Sequence, residues 1–307
     1  MSEKTLTITV DEDSEGLRID SYLSGIEEVL SRNYVSRLIS EGGAELNGEK
    51  VKKCSVRVSE GDRVSLTIPE SRIPDILPED IKLDILYEDS DVLVVNKPKG
   101  MVVHPSNGHY SGTMVNALLY HCRDLSGING VLRPGIVHRI DKDTTGSVII
   151  CKNDTAHKDI AEQLKEHSIK RLYRAVVLGN ITGDGSIDKP IGRSKNDRKK
   201  MAVTEDGKRA VTHYHVLENF GDYSYIECRL ETGRTHQIRV HMASMGHPLL
   251  GDTVYGSGKS PFKTEGQVLH AYVLGFRQPT SREYIETTAP IPEDFQRIIN
   301  SLENRVK

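Results

Sequence analysis

Apolar and polar residues alternate along most of this chain, and the period changes at recognisable points. ILYEDSDVLVVNKP carries two apolar runs around Asp89-Ser90-Asp91, which predicts two strands joined by a tight turn. SVIIC, LYRAVVLG, RAVTHYHVLE, YSYIECRLE and HQIRVHMA read as further strands. TMVNALLYHC and TAHKDIAEQLKEH instead repeat their apolar residues at helical spacing, the second with Asn153 or Asp154 as its N-cap. Few strands alternate with helices in a regular order. The expected class is therefore α+β, with a mixed, largely antiparallel sheet and peripheral helices rather than a doubly wound fold.

A break falls at PESRIPDILPED, where Pro69, Pro74 and Pro78 interrupt any continuous element and residues 69–79 read as a semi-rigid linker. Before it, residues 14–68 form a small α/β module. A helix starts near Ser31, carries Val35, Leu38 and Ile39 on one face and stops at Gly42 and Gly43. Asn47-Gly48 then supplies a two-residue hairpin turn, and VSEGDRVSLTI closes the module as another hairpin-like stretch. Residues 1–13, acidic and alternating, are expected to be an N-terminal extension without the features of a signal peptide. Residues 80–307 make the larger domain.

With 307 residues there is room for one developed core and a smaller module. No run approaches 18 apolar residues, so no membrane span is expected. Cys54, Cys122, Cys151 and Cys228 stand singly with no CxxC, which suits reduced thiols in a cytoplasmic protein and offers no zinc framework. His213 with His215 and His236 with His241 come nearest to metal spacing, but alternate strand positions explain the first pair as well as a metal would. The expectation is no metal. The net charge of −3 does not announce a nucleic-acid binder. Locally, however, Lys189 to Arg209 holds eight Lys/Arg against three Asp/Glu, including Arg193 and Lys199, a run suited to phosphate contacts or simply to a solvated loop.

Walker-type, GxGxxG, GxSxG and HExxH motifs are all missing, so acid–base groups remain for chemistry. The densest are HRIDKD and ETGRTHQIRVH. If both meet in one cleft, Arg234 can pair with an aspartate of the first segment and keep it ionised despite burial. Such a carboxylate suits nucleophilic or electrostatic work at a sugar carbon. Asp141 and Asp143 also fit a glycosidase pair about 5 Å apart, although the chain has no Trp to form a sugar platform. Read alone, the segment is also compatible with a solvated turn.

GIVHRIDKDTTGS closely resembles the catalytic-aspartate motif of the RluA-type pseudouridine synthases. NKPKGMVVHP, SIKRLYRAVV, IDKPIGR, DRKKMAV, TGRTHQIRVHMASMGHPLLGD and LHAY follow in that family's order, so the likeness spans about residues 80 to 295. Ile140 stands where leucine is common, and Ser147 where an apolar residue is usual. The resemblance implies an enzyme that isomerises uridine in RNA without a cofactor. Asp141 would be its catalytic aspartate, Tyr173 would pack on the uracil, and Arg234 would be the salt-bridge partner of Asp141. Arg139 would fill the place of the everted base, and Ile238, with Ile149 and Val240, would wall the pocket from strands.

LRIDSYL, SRNYVSRLISEGGAELNGEKV and EGDRVSL resemble the alpha-L RNA-binding domain of a ribosomal small-subunit protein. That likeness makes Arg18, Arg32 and Arg37 phosphate contacts, although eight basic residues face ten acidic ones between Ser14 and Glu70. The partner implied is structured RNA, with large-subunit rRNA first and transfer RNA next, either naked or in an assembling ribosomal particle. Nothing demands more than a monomer.

Overall fold

The computed structural model describes residues 4–26, 32–68, 76–105, 110–122, 125–127, 134–197, 200–257 and 260–306. It divides into two compact units, Met1–Asp75 and Ile76–Lys307. Residues 69–75, most of the expected linker, lie outside the described residues.

In the first unit, strands β1 (Lys4–Thr9), β2 (Ala44–Leu46), β3 (Glu49–Val51) and β4 (Arg63–Ile68) form an antiparallel sheet in the order β1-β4-β2-β3. Helices α1 (Ile19–Ile26) and α2 (Arg32–Ser40) pack with it around Ile19, Leu23, Val35, Leu38, Ile39 and Leu66. Asn47 and Gly48 turn between β2 and β3 at φ of 53° and 86°, the left-handed region that an Asn-Gly hairpin supplies. The sequence reading placed residues 1–13 outside the module, and the structure corrects this. Lys4 to Thr9 pair residue for residue with Ile68 to Arg63, and Val10 is buried in the core. The alternation of TLTITV is that of a strand covered on one face.

The second unit is built on a nine-stranded sheet. Its strands are β5 (Ile85–Glu88), β6 (Val92–Lys97), β7 (Thr145–Cys151), β8 (Lys170–Leu178), β9 (Gly185–Asp188), β12 (Val211–Asn219), β13 (Tyr223–Leu230), β14 (Leu269–Arg277) and β15 (Tyr284–Thr288). They run in the order β5-β6-β7-β14-β8-β13-β12-β9, with β15 also on β14. A separate hairpin, β10 (Ile191–Arg193) with β11 (Met201–Val203), lies in the basic stretch. Every pairing in the large sheet is antiparallel except β7 with β14, so the sheet is mixed and largely antiparallel.

The period-2 alternation places the helices. On β6 and β7, Val92, Val94, Ile149 and Cys151 face helix α4 (Asp154–Lys165), while Leu93, Val95, Val148 and Ile150 share a core with helix α3 (Met114–His121). Asn153 caps α4 by accepting from the Ala156 amide at 2.9 Å. Tyr173, Ala175 and Val177 of β8 join the α3 core, and Val176 packs with helix α6 (Glu293–Val306) on the other side.

HQIRVHMA is a correction. Gln237–Ser244 is a helix, α5, not a strand, and residues 237 to 242 are all buried. A helix buried on every side has no apolar stripe, so its chance alternation of Ile238, Val240 and Met242 mimics a strand. Ile238 therefore reaches the site from a helix, whereas Val240 and Ile149 belong to other clusters.

Candidate active site

The turn bearing Asp141 is fixed at both ends. Lys97, fully buried at the end of β6, donates from Nζ to the carbonyls of Pro98 at 2.9 Å, Met101 at 2.9 Å and Lys142 at 2.8 Å. Three acceptors match the three hydrogens of an ammonium. Burial pushes Lys97 down to about 7, with the carboxylates of Asp143 and Asp141 pulling it up. Beyond the turn, Gly146 enters the sheet at φ 106°, where a Cβ would stand 2.2 Å from the Ala271 oxygen. Only glycine lets β7 approach β14 this closely. The register then runs Gly146 to Ala271 to Tyr173 to Cys228 across four strands, which sets Asp141 and Tyr173 at one end of the sheet.

Both residues line a cavity of about 650 Å³ together with Arg139, Arg234, His236 and Ile238. The Asp141 side chain is 22% exposed, so it opens to this cavity instead of lying in a sealed recess. Tyr173 is 8% exposed, and burial raises its phenol pKa, with Arg171 opposing and Asp141 adding to the shift.

The ion-pair partner of Asp141 is Arg239, not Arg234. Arg239 Nη1 donates to Asp141 Oδ2 at 2.9 Å, and its Nε and Nη2 donate to Asp252 Oδ2 and Oδ1 at 2.7 and 3.0 Å. Asp252, 1% exposed, also accepts from the amides of Val254 and Tyr255. Burial pushes the Asp252 carboxyl up, but the Arg239 guanidinium and these amides outweigh it and hold it below its usual range. Arg239 is itself raised, because the two carboxylates overcome its own burial. Arg234 instead donates from Nε to the Arg209 carbonyl at 2.9 Å, since it lies in the turn before α5 and only the helix points a guanidinium inward. The detectable signal was an arginine inside the apolar run QIRVHM: a buried guanidinium requires a carboxylate.

Gln237 escaped the sequence reading, and His236 entered it only as half of a pair near metal spacing. Gln237, 3% exposed, accepts from the Thr232 hydroxyl and the Arg234 amide and donates to the Val211 carbonyl and the Thr212 hydroxyl. It ties the TGRTH turn to β12. His236 stands at the start of α5 at φ 57°, its Nδ1 2.8 Å from the Tyr255 hydroxyl and its Nε2 3.9 Å from Asp141 Oδ1. Burial lowers its pKa, partly offset by Asp141.

Arg139 is exposed at the cavity and donates to the Thr235 hydroxyl at 3.1 Å. His213 and His215 occupy alternate positions of β12, and each is bonded to a carboxylate, Glu231 at 2.7 Å and Asp184 at 2.6 Å. Arg193 is exposed at the end of β10, whereas Lys199 lies outside the described residues. In the first unit, Arg37 is exposed on α2, and the Arg32 side chain lies outside the described residues. Arg18 is bonded through Nε and Nη2 to the buried carboxylate of Asp20.

The profile of the RNA pseudouridylate synthase family matches residues 91–244, and that of the S4 domain matches residues 17–64. An uncharacterized RNA pseudouridine synthase of Bacillus subtilis, YlyB, is 53% identical over 298 residues, covering 97% of this chain and 98% of the relative. The ribosomal large subunit pseudouridine synthase D of Zymomonas mobilis is 47% identical over 309 residues, with 97% and 98% covered. Among solved structures, the human RNA pseudouridylate synthase domain containing 1 superposes with a TM-score of 0.57 at 26% identity, covering 73% of this chain and 96% of that one. Matched by profile over half its length and by relatives end to end, the chain belongs to the RNA pseudouridylate synthase family, with an S4 domain ahead of its synthase domain.

Proposed function

We propose that this enzyme converts uridines of large-subunit ribosomal RNA to pseudouridine, with Asp141 as the group that acts at the sugar. The observation carrying this reading is the chain Asp252–Arg239–Asp141, which fixes the Oδ2 of Asp141 and leaves Oδ1 unbonded to Arg239, on a residue that lines the same cavity as Tyr173. The rRNA target is supported by the name of the Zymomonas relative.

Isomerisation breaks the N1–C1′ bond, turns the base and joins C5 to C1′. The C5 proton leaves and N1 ends protonated, so neither water nor an oxidant enters the balance. Asp141 captures or stabilises the sugar centre while the base is detached. Tyr173 stacks on the uracil, a contact worth roughly 1–3 kcal/mol, and Ile238 closes the apolar side. Arg139, at the mouth, fills the gap left in the RNA stack, which offsets part of the few kcal/mol that eversion costs. Arg37 of the S4 domain and Arg193 and Lys199 of the basic stretch contact phosphates, which position the RNA without reading its bases. Arg18 contributes to that surface only with the part of its guanidinium that Asp20 leaves over. We read the protein as a cytoplasmic monomer.

The test is Asp141→Asn with RNA extracted from cells lacking the parent gene. The expected result is loss of the enzyme's pseudouridines from large-subunit rRNA with RNA affinity retained. Full modification by the variant would remove Asp141 from this role, and sites found only in transfer RNA would replace the substrate.

A further inference from the structure

Arg171 lies two residues before Tyr173 on β8, so the two side chains share one face of the strand, roughly 7 Å apart along it. Both line the cavity. Arg171 is 7% exposed, yet among the described residues no carboxylate pairs with it: Nη2 donates to the Glu231 carbonyl at 2.8 Å, and buried Nε has no partner. A buried charge without a counter-charge is costly, and proteins ordinarily neutralise it. The two carboxylates of the ion-pair chain bond to Arg239, and neither comes within ion-pair distance of Arg171. The site thus holds a buried cation that its carboxylates do not serve, beside the ring on which the base is to rest.

The chemistry supplies the missing anion. When N1–C1′ breaks, the bonding electron pair stays on N1, and uracil departs as an anion with its charge shared over N1, O2 and O4. The sugar centre is left for Asp141. When C5 joins C1′, that charge is consumed, and the proton lost from C5 is balanced by the one gained at N1. From this geometry, and resting on the assignment of Asp141 and Tyr173 above, we infer that Arg171 is the cation that stabilises the detached uracil anion. Its cost in the empty site is recovered only while the base is free, which is the condition under which binding accelerates a reaction. Burial also lowers the pKa of its guanidinium, as expected of a cation without a counter-charge, although an arginine stays protonated.

A stabiliser of the leaving group differs from a strut in how it responds to the leaving group. Fluorine at C5 makes uracil a better anion and lessens the need for Arg171. We would compare Arg171→Met, Arg171→Gln and Arg171→Lys with the parent in single-turnover reactions on one RNA carrying either uridine or 5-fluorouridine at the target, following consumption of the target nucleoside, because a fluorinated C5 has no proton to lose and cannot give pseudouridine itself. Arg171→Gln keeps a donor for the Glu231 carbonyl and serves if the methionine variant does not fold. The expected loss on uridine is about 100-fold for Met or Gln, as for removal of one oxyanion donor. On 5-fluorouridine the loss is at least fivefold smaller, and Lys, which keeps the charge, recovers tenfold or more. Equal losses on the two substrates, or a Lys variant no faster than Met, would reduce Arg171 to a structural support. A parent enzyme that forms no pseudouridine would instead overturn the functional reading itself.

Discussion

Asp252 holds Arg239 by two of its nitrogens, at 2.7 and 3.0 Å, so that only Nη1 remains to reach Asp141. Asp252 does not line the cavity, and its effect on chemistry passes through the guanidinium it orients. Replacing it by Asn keeps the shape but breaks the deeper ion pair and leaves Arg239 only the partly exposed Asp141 as counter-charge. The variant should lose about 3–5 kcal/mol of stability in urea unfolding. Its kcat should fall about 10- to 100-fold, the scale of a misplaced active-site group, with RNA affinity unchanged. A variant with parent stability and kcat would show that the orienting bond is dispensable.

The exchange of Arg234 for Arg239 separates the two arginines experimentally. Arg239→Met breaks both buried ion pairs and should abolish turnover. Arg234→Met removes one bond to a backbone carbonyl at the cavity rim and should cost less than tenfold in kcat. If the two losses were equal, the ion pair would not be what distinguishes them.

This exchange also shows what the sequence could and could not disclose. Strands β6, β7, β8, β12 and β13 were legible because each is covered differently on its two faces or bounded by turn residues, and α3 and α4 because their apolar spacing is helical. A dense charged segment placed against a core strand drew attention to Asp141 and Asp143, but only the resemblance to the synthase motif chose Asp141 over its neighbour or over a solvated turn. Helix α5 was not legible, because a helix enclosed on all sides carries no stripe, and reading it as a strand made Arg239 one residue of an alternating run. Nor was Asp252, which lies 13 residues beyond Arg239 in a loop and meets it only after folding. Local pattern specifies elements, whereas partner choice among several arginines is decided by which one the tertiary packing turns inward.

Acid should destabilise the fold through His138. Its Nε2 accepts from the Ile149 amide at 3.0 Å, a bond that only the neutral ring can make. Burial, with Arg171 adding, pushes its pKa from 6.5 down to about 3. Between those values the unfolded chain binds a proton that the folded chain refuses, so stability is complete above pH 6.5 and falls as the pH drops through this window toward 3. The slope from this residue is at most about 1.4 kcal/mol per pH unit. The measurement is proton NMR of the His138 ring with urea unfolding at matched pH. A ring that titrates near 6.5 in the folded protein would contradict the assignment.

Tyr255 should set the proton position on His236. Its hydroxyl accepts from the Met201 amide at 3.0 Å, and with one lone pair so used the expected role of its hydrogen is donation to His236 Nδ1 at 2.8 Å, the direction that holds for the Nε2–H tautomer. Nδ1 is then the acceptor, and the ring carries its proton on Nε2, which faces Asp141 Oδ1, the oxygen that Arg239 does not hold. Tyr255→Phe keeps the ring under the Arg239 guanidinium, 5.1 Å from its centroid, and removes the hydroxyl, which takes the donor from His236 and the acceptor from the Met201 amide. A hydrogen bond to the neutral form of a base disfavours the charged form, so its loss should raise the His236 pKa. Asp141 and Asp252 continue to pull it up, and Arg239 and Arg139 to push it down, so the change reports Tyr255 alone. His236→Asn completes the test, because Asn accepts the left-handed backbone at this position but is too short to reach Asp141. Its kcat should fall by less than tenfold, because at 3.9 Å the ring acts on Asp141 as a nearby dipole and not through a hydrogen bond, with RNA affinity intact. A His236 titration unmoved or lowered by Tyr255→Phe would mean that the tyrosine accepts from the ring and that Nε2 is bare toward Asp141.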